Sequence, residues 1–267
     1  MATKPRSAHL HPGPGFRVRM NVPRPDPALM RGLGAFPTPD ISDQLNRLYA
    51  LSPGIKLLTN PAHKVCGPAC TVKVFPGDNL MVHKSLDVLE TGDVVVIDAG
   101  GSEHNAVLGD LISTKAKHRG AQGFVVDGFV RDLPNIQEVD LPVFARGTTP
   151  IGPLHRGPGE INFAVCCGGV VVSPGDVIVG DAMGVVVVPR EIAAELLDRL
   201  REHEAAQAAY LDGVKRGVFS NEWVDNILTG LECPVIKGAQ PGESTQPSTE
   251  MANAGSPNDQ APMTKPQ

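Results

Sequence analysis

The uninterrupted apolar run Val94-Val95-Val96-Ile97 constrains the fold of this chain more than any other segment. Four β-branched residues in a row, preceded by Gly92-Asp93 and followed by Asp98, are typical of a strand that is buried on both faces. Helical and strand-like patterns alternate on either side of this run. The alternation predicts a single α/β domain.

The other apolar patterns predict further short elements. Helices are expected at 39–50, around 81–89, and at 111–118, 191–211 and 221–228, and strands at 65–75, 94–98, 124–126, 142–145, 163–166, 170–172, 177–179 and 185–188. The first of these strands is predicted to break at Gly67-Pro68. Because the strands after residue 140 follow one another closely, we expect a compact mixed or barrel-like sheet rather than a doubly wound one.

Both ends of the chain lack such patterns. Residues 1–34 are predicted to be an extended or disordered arm, since the first thirty contain six prolines. Residues 231–267 are predicted to be a disordered tail, because from 238 onward there is no Val, Ile, Leu or Phe to bury against chain entropy. The folded domain is therefore expected at 35–230.

Charge and composition exclude several classes of function. The formal net charge of −5 argues against binding to a nucleic-acid backbone, which depends on clustered Lys and Arg. No segment approaches the about 18 apolar residues of a membrane span, and the N-terminus lacks the apolar segment of a secretory signal. We therefore expect a cytoplasmic protein without nucleic-acid or membrane partners. The five cysteines lack the spacing of a disulfide framework or a zinc site.

Two polar segments that follow buried strands carry the candidate chemistry. The first is Gly109-Asp110-Leu111-Ile112, and the second, separated from Asp110 by twenty residues, is Arg131-Asp132. The first segment opens a helix whose backbone N–H groups at 111–113 are predicted to bind an anion. Since loops at neighbouring strand ends can face one another, the two segments are expected to meet. Asp110 as a plain helix N-cap, and Arg131-Asp132 as a surface ion pair or cap, remain alternatives.

Such a pocket supplies the groups that a small 2-oxo acid needs. The substrate carboxylate can accept hydrogen bonds from the amides and a bidentate pair from the Arg131 guanidinium. A hard cation held by Asp132, largely through waters, can chelate the carboxylate and keto oxygens. It would act as a Lewis acid where enolate charge develops. Beside the alternatives above, the pattern is thus compatible with a metal-assisted lyase that cleaves a carbon–carbon bond.

The residues of this region resemble those of the RraA-like family. The matching blocks are Gly109-Asp110-Leu111-Ile112, Arg119-Gly120, Gly123-Phe124-Val125-Val126-Asp127-Gly128, Val130-Arg131-Asp132 and Pro142-Val143-Phe144-Ala145-Arg146-Gly147. The resemblance covers about residues 35–230. The family includes class II aldolases that act on 4-hydroxy-4-methyl-2-oxoglutarate and 4-carboxy-4-hydroxy-2-oxoadipate.

The resemblance implies a role for each site residue. Asp132 would anchor a divalent cation, Mg²⁺ or Mn²⁺, while Arg131 would bind substrate and take part in catalysis. Residues 109–112 would form the substrate loop, and Asp110 matches the first acidic position of the family signature and is expected to position the base. The resemblance also implies a swivelling β/β/α fold, assembled as a homotrimer or homohexamer with active sites at subunit interfaces. A neighbouring subunit would supply an acidic residue, Glu204 or Glu202.

The implied reaction is the retro-aldol cleavage of a 4-hydroxy-2-oxo diacid to pyruvate and a second oxo acid, with oxaloacetate decarboxylation as a side activity. The main alternative belongs to another class of function, since some family members inhibit an RNA-degrading complex by binding it. A methyltransferase is disfavoured, because the glycine pattern that includes Gly100-Gly101 is incomplete for a nucleotide loop.

Overall fold

The computed structural model describes residues 14–236, in which a nine-stranded sheet and a separate two-stranded hairpin form the β-structure. The strands of this described part are β1 (Phe16–Val18), β2 (Lys56–Leu57), β3 (Val65–Val74), β4 (Val94–Leu108), β5 (Gly123–Val130), β6 (Val143–Thr148), β7 (Gly159–Ile161), β8 (Val165–Cys167), β9 (Val170–Val172), β10 (Val177–Asp181) and β11 (Gly184–Val188). The helices are α1 (Pro27–Leu33), α2 (Thr38–Gln44), α3 (Leu80–Ser85), α4 (Asp110–His118), α5 (Leu133–Val139), α6 (Ala193–Lys215) and α7 (Glu222–Gly230), and a 3₁₀ turn at Arg190–Ile192 precedes α6.

The centre of the large sheet is parallel and its margins are mixed. Strands β3, β4, β5 and β6 run parallel in that order. At one margin β7 pairs antiparallel with β3 and parallel with β1, and at the other β2 pairs antiparallel with β6. The β10–β11 hairpin pairs with the first half of β3, and β8–β9 form the separate hairpin. The prediction of a mixed sheet in an α/β domain is confirmed.

The apolar run in β4 is buried on both faces, as the sequence predicts. Val95 and Ile97 belong to a cluster that includes residues of α3, α4 and α5. Val94 and Val96 belong to a second cluster, formed with residues of β8 to β11. All four side chains are fully buried, so this strand ties the helical layer to the hairpin layer. At its C-terminal end, Val107 and Leu108 are again buried in the first cluster, which anchors that end of the strand in the core.

Two predicted strand ends are wrong. Strand β4 does not stop at Asp98 but runs to Leu108, with irregular pairing to β5 after Asp98. Gly100 and Gly101 have φ values of 66° and 69° within it, which only glycine adopts readily, and they form a bulge rather than a turn to a helix. Strand β5 likewise continues through Asp127-Gly128 to Val130.

Two further local predictions are wrong. The helix expected at 39–50 ends at Gln44, because Asn46 and Arg47 have φ values of 55° and 63°, outside the helical region. Strand β3 is not broken at Gly67-Pro68. A Cβ at Gly67 would lie 2.2 Å from the Gly92 carbonyl oxygen, so the glycine allows a close approach of the next turn instead.

The N-terminal arm is only partly as predicted. Strand β1 pairs with β7 in the sheet, and α1 buries Leu33 against β10, β11 and α6. Asp26 caps α1 by accepting a 2.6 Å hydrogen bond from the Ala28 amide. A three-residue strand and a two-turn helix are too short to produce a periodic pattern, so neither element is predictable from hydrophobic periodicity. The disorder predicted for 1–13 and 237–267 concerns residues outside the described part of the chain.

Internal contacts divide the chain into two units, Met1–Asp212 and Gly213–Gln267. The first contains the entire large sheet and the candidate site, whereas α7 lies in the second. The domain limits of 35 and 230 that the sequence suggests stay predictions. Across residues 14–236, no helix combines the length and the apolar character needed to cross a bilayer.

Candidate active site

The ends of β4 and β5 bring the two predicted polar segments together. Leu108 and Val130 are paired across these parallel strands, and the Arg131 amide donates a 3.0 Å hydrogen bond to the Leu108 carbonyl. A Cβ built on Gly109 would lie 2.6 Å from Asp132 Oδ2 and 3.3 Å from Arg131 Cγ. The convergence expected from the sequence is therefore present, and the lack of a side chain at residue 109 makes it possible.

Arg131 presents its guanidinium at the surface of this junction. Its side chain is 42% exposed, and Nε lies 3.2 Å from Asp132 Oδ2. On another side the guanidinium lies against Gly152, where a Cβ would be 2.7 Å from Nη1. The group is thus held in place by its neighbours, yet enough of it remains open to bind a carboxylate.

Asp132 occupies the position before α5 but does not cap that helix with its side chain. Its φ of 56° places it in the left-handed region, which Asp and Asn tolerate better than most residues. Its carbonyl oxygen accepts a hydrogen bond from the Ile136 amide, while its carboxylate forms an ion pair with Arg131. Asp132 is thus the N-cap residue of α5 by position but makes no capping hydrogen bond with its side chain, and the ion-pair alternative describes the observed contact. With its side chain 36% exposed, Asp132 can still bind a cation.

Asp110 is the first residue of α4, and Gly109 is the N-cap, so the N-cap alternative for Asp110 is wrong. Its Oδ1 accepts a 2.7 Å hydrogen bond from the Leu111 amide, and its Oδ2 accepts a 3.0 Å bond from Asn135 Nδ2. The Ser113 amide donates to the Gly109 carbonyl. Two of the three amides predicted to bind an anion are thus already engaged, and that prediction is wrong as stated.

A cavity of about 220 Å³ opens over this junction. Its walls are Asn79, His83, Leu108, Gly109, Asp110, Leu111, Ile112, Arg131, Asp132, Pro153 and His155. Sequence reasoning missed Asn79, His83 and His155. The turn at 76–79 follows β3, the neighbour of β4, and this adjacency could have indicated the first two. His155 lies in a loop without any periodic pattern.

The histidines give the cavity a second polar wall. The rings of His83 and His155 are 5.7 Å apart between centroids and meet edge to face. Partial burial lowers the pKa of His83, and electrostatic interactions with His155 and Lys115 lower it further. His83 is therefore disposed to be a neutral hydrogen-bonding group near pH 7.

The donor set of the cavity fits a hard divalent cation. Among residues 14–236, no three His, Cys, Asp or Glu side chains are grouped closely enough to hold a metal ion together. Mg²⁺ does not require such a group, since it is commonly bound through one or two carboxylates and keeps several waters. The exposed carboxylate of Asp132, with that of Asp110 lining the same cavity, suits Mg²⁺ or Mn²⁺ better than a softer metal.

Glu202 and Glu204 lie on the exposed part of α6 and do not line this cavity. A role for either therefore requires another copy of the chain, and it stays a prediction.

These features define a class of protein, an α/β domain with a polar site at the ends of two adjacent parallel strands. Strand β4 leads into Gly109, and β5 leads into the basic and acidic pair Arg131-Asp132 beside it. A family model described as RraA-like, Aldolase/RraA, matches residues 38–187, which is more than half of the chain. The chain belongs to the RraA-like family.

Individual proteins similar to this chain agree with that family assignment. A protein of Halalkalibacterium halodurans with the provisional name 4-hydroxy-4-methyl-2-oxoglutarate aldolase is 44% identical over 173 residues, which cover 65% of this chain and 82% of that protein. The structure of Streptomyces coelicolor RraAS2, described as an unusual member of the RNase ES inhibitor RraA protein family, is similar with a TM-score of 0.65 and 33% identity, covering 71% of this chain and 98% of that one.

A third similar structure, from Geobacillus kaustophilus HTA426, is described as an S-adenosylmethionine: 2-dimethylmenaquinone methyltransferase. It has a TM-score of 0.55 and 33% identity, and covers 60% of this chain and 98% of that one. In the present chain, Gly100-Gly101 forms a bulge inside β4 rather than a turn between a strand and a helix. The local geometry therefore gives no support to a nucleotide loop there.

The close approach at Gly109 leads to a testable prediction. Gly109→Ala places a methyl group 2.6 Å from the end of the Asp132 side chain and 3.3 Å from Cγ of Arg131, and both partly exposed side chains can move away at little cost in stability. We expect kcat/KM to fall about 100-fold, because small displacements of catalytic groups are costly. The free energy of unfolding should fall by less than about 2 kcal/mol. Gly230→Ala is the matched control, since a Cβ there meets no atom within 4 Å. Unchanged kinetics in Gly109→Ala would contradict the assigned geometry.

Proposed function

We propose that this protein is a divalent-metal-dependent class II aldolase that cleaves a 4-hydroxy-2-oxo diacid, such as 4-hydroxy-4-methyl-2-oxoglutarate, to pyruvate and a second oxo acid. The observation that carries the proposal is the junction of Gly109, Arg131 and Asp132 at the end of β4 and β5. The provisional names of relatives such as the H. halodurans protein support the same reaction.

Arg131 binds the substrate's C1 carboxylate with its exposed guanidinium and stabilises the negative charge that develops on the C2 oxygen. Asp132 would hold a divalent cation, which would supply Lewis-acid stabilisation to the developing enolate. Asp110 is fixed by Leu111 and Asn135 and retains lone pairs with which to position a water.

The reaction then follows the ordinary course of a retro-aldol cleavage. The positioned water accepts the proton of the C4 hydroxyl, the C4–O bond becomes a carbonyl, and the C3–C4 bond breaks. Its electron pair passes to the C2 oxygen as an enolate, and a proton returned to C3 gives pyruvate. Decarboxylation of oxaloacetate releases CO₂ and passes through the same enolate, so we propose it as a side activity.

We further propose that the protein assembles as a homotrimer or homohexamer and that each site takes an acidic residue, Glu204 or Glu202, from a neighbouring subunit. The support is that both residues are exposed on α6 and neither lines the cavity of its own chain.

The test is release of pyruvate by purified protein. We expect turnover of 4-hydroxy-4-methyl-2-oxoglutarate and slower decarboxylation of oxaloacetate with Mg²⁺ or Mn²⁺, and loss of both when a chelator removes the metal. Adding the metal back should restore both activities. Protein that is inactive on 4-hydroxy-2-oxo diacids and on oxaloacetate with either metal would rule the proposal out.

The second candidate function is inhibition of an RNA-degrading enzyme by protein binding, and the likeness to RraAS2 is what favours it. The two candidates make opposite predictions for one variant. Asp132→Ala abolishes turnover if the site is catalytic, whereas a binding function would survive the same substitution.

A further inference from the structure

We propose that His83 and His155 bind the second carboxylate of the diacid substrate, the one attached to C4, and thereby select diacids over monoacids. This inference rests on the aldolase function proposed above. Both imidazoles line the cavity that contains Arg131 and Asp132. A substrate anchored at Arg131 by its C1 carboxylate must place its other end against a different wall of that cavity.

The orientation of His155 leaves one ring nitrogen for a ligand. Its Nδ1 lies 2.6 Å from Oδ1 of the buried Asn79. An amide oxygen can only accept a hydrogen bond, so Nδ1 carries the proton and donates. Nε2 is then the ring nitrogen left for a ligand, and a carboxylate can accept a hydrogen bond from it in the imidazolium form, in which both ring nitrogens are donors.

The loop that carries His155 is fixed to the turn at 76–79. The Leu154 amide donates to the Gly77 carbonyl at 2.8 Å, and the Asn79 amide donates back to the Leu154 carbonyl at 3.0 Å. The Arg156 amide donates to Asp78 Oδ2 at 2.6 Å. These bonds hold His155 in place although its side chain is exposed, so little ordering is needed when a ligand binds.

The same loop also contacts the opposite end of the site. Gly152 lies against the Arg131 guanidinium, and its carbonyl accepts a 2.7 Å hydrogen bond from Asn105 Nδ2. One short segment, 152–155, therefore runs from the group proposed to bind the first carboxylate to the group proposed to bind the second. This arrangement fixes the spacing between the two anion-binding groups.

The electrostatic surroundings of the histidine wall favour an anion. Lys115 of α4 and His155 both act on His83 as positive neighbours. The carboxylates of the cavity are already engaged, Asp110 by Leu111 and Asn135, and Asp132 by Arg131. Desolvation and the neighbouring positive charges lower the pKa of His83 in the free protein. A substrate carboxylate beside the ring offsets those charges, and a charge-assisted hydrogen bond results.

The test compares two substrates that are cleaved at the same bond. 4-Hydroxy-4-methyl-2-oxoglutarate carries the second carboxylate, 4-hydroxy-2-oxopentanoate lacks it, and both release pyruvate. We expect His155→Gln and His83→Gln each to lower kcat/KM for the diacid by about tenfold or more, the usual effect of losing a hydrogen bond to a charged group. For the monoacid we expect kcat/KM to fall less than about threefold, because this substrate has no second carboxylate whose hydrogen bond could be lost. The control is His118→Gln, an exposed histidine of α4 outside this cavity, which should leave both values unchanged.

A binding measurement separates selectivity from turnover. 2-Oxoglutarate has the same two carboxylates but lacks the C4 hydroxyl, and 2-oxobutyrate has only one carboxylate. With Mg²⁺ present, calorimetry should show that the wild-type protein prefers 2-oxoglutarate, and that each histidine variant loses about tenfold of that preference. Far-UV circular dichroism and thermal melting verify that the variants are folded.

The outcomes distinguish this inference from the function on which it rests. If the wild-type protein cleaves the diacid but the histidine variants lose activity equally on both substrates, the selectivity inference is overturned and the aldolase function stands. If the wild-type protein cleaves neither substrate, the aldolase function is overturned, and the calorimetric preference alone then decides whether the histidines bind the second carboxylate.

Discussion

Asp132→Asn should lower kcat/KM for 4-hydroxy-4-methyl-2-oxoglutarate by about 100- to 1000-fold, since the cation proposed to bind this carboxylate would contribute several kcal/mol of transition-state stabilisation. The substitution keeps the size of the side chain and removes its charge. Asparagine also tolerates the left-handed conformation at this position, and the hydrogen bond from the Ile136 amide to the residue 132 carbonyl is retained. The variant should therefore fold normally and fail in catalysis.

The matched control lies at the other end of the same helix. Asp140 follows α5, has a φ of 55°, and is exposed, with its carboxylate 2.8 Å from His63 Nε2. Asp140→Asn makes the same chemical change in the same backbone conformation, away from the cavity, and should leave kinetics unchanged. Steady-state pyruvate release over a range of Mg²⁺ concentrations is the measurement. An Asp132→Asn protein with more than about a tenth of wild-type kcat/KM would contradict a metal-anchoring role.

Arg146→Met should reduce the free energy of unfolding by about 3–5 kcal/mol, because it removes the charged partner of a nearly buried carboxylate. Asp127 lies in β5 with only 8% of its side chain exposed, and its Oδ1 accepts a short hydrogen bond from Arg146 Nε. Its Oδ2 accepts a 2.7 Å bond from the Gly168 amide, which alone does not neutralise the charge. Methionine retains much of the arginine's length, so the loss reports the missing charge more than a cavity.

Arg199→Met provides the comparison. Arg199 pairs with Glu195 four residues earlier on the exposed face of α6, at 2.7 Å. An exposed helical pair of this kind contributes about 0.3–0.5 kcal/mol. Urea unfolding of both variants, followed by circular dichroism, gives the two values. Equal losses in both would mean that the Asp127–Arg146 pair is no more important to the fold than a surface contact.

The parts of the fold and site that depend on neighbouring strands were predictable. Residues 94–97 are apolar at every position, and this pattern alone required burial on both faces. Segments that follow neighbouring strands can face one another, and Gly109 does meet Arg131 and Asp132 at the ends of the adjacent strands β4 and β5. Strand β4 extends through Gly100-Gly101 and ends at Leu108 instead of Asp98, but the segment that follows it still meets the segment that follows β5.

The parts that depend on individual hydrogen bonds were not predictable. The Asp110 carboxylate accepts a hydrogen bond from the amide of the next residue, Leu111. This bond removes a donor that a helix N-terminus would otherwise offer to an anion. No periodicity places His155 beside Asn79, 76 residues away in the chain, because the pairing depends on how an irregular loop folds back. Sequence patterns indicate burial and spacing. Hydrogen bonds such as those of Asp110 and His155 depend on the exact conformation of the folded loops and helix ends, which these patterns do not specify.

The cavity is built from two kinds of structure that can change independently. Gly109, Arg131 and Asp132 follow strand ends, Leu108 and Val130, whose side chains are buried in the core, so the position of these three residues is set by the packing of the sheet. The loop at 152–156 is attached to the turn at 76–79 largely through its main chain. Because hydrogen bonds from the main chain do not depend on the identity of the side chains, the residues of this loop can change, by evolution or by design, while Gly109, Arg131 and Asp132 stay the same. The same site could then accept acids of other shapes.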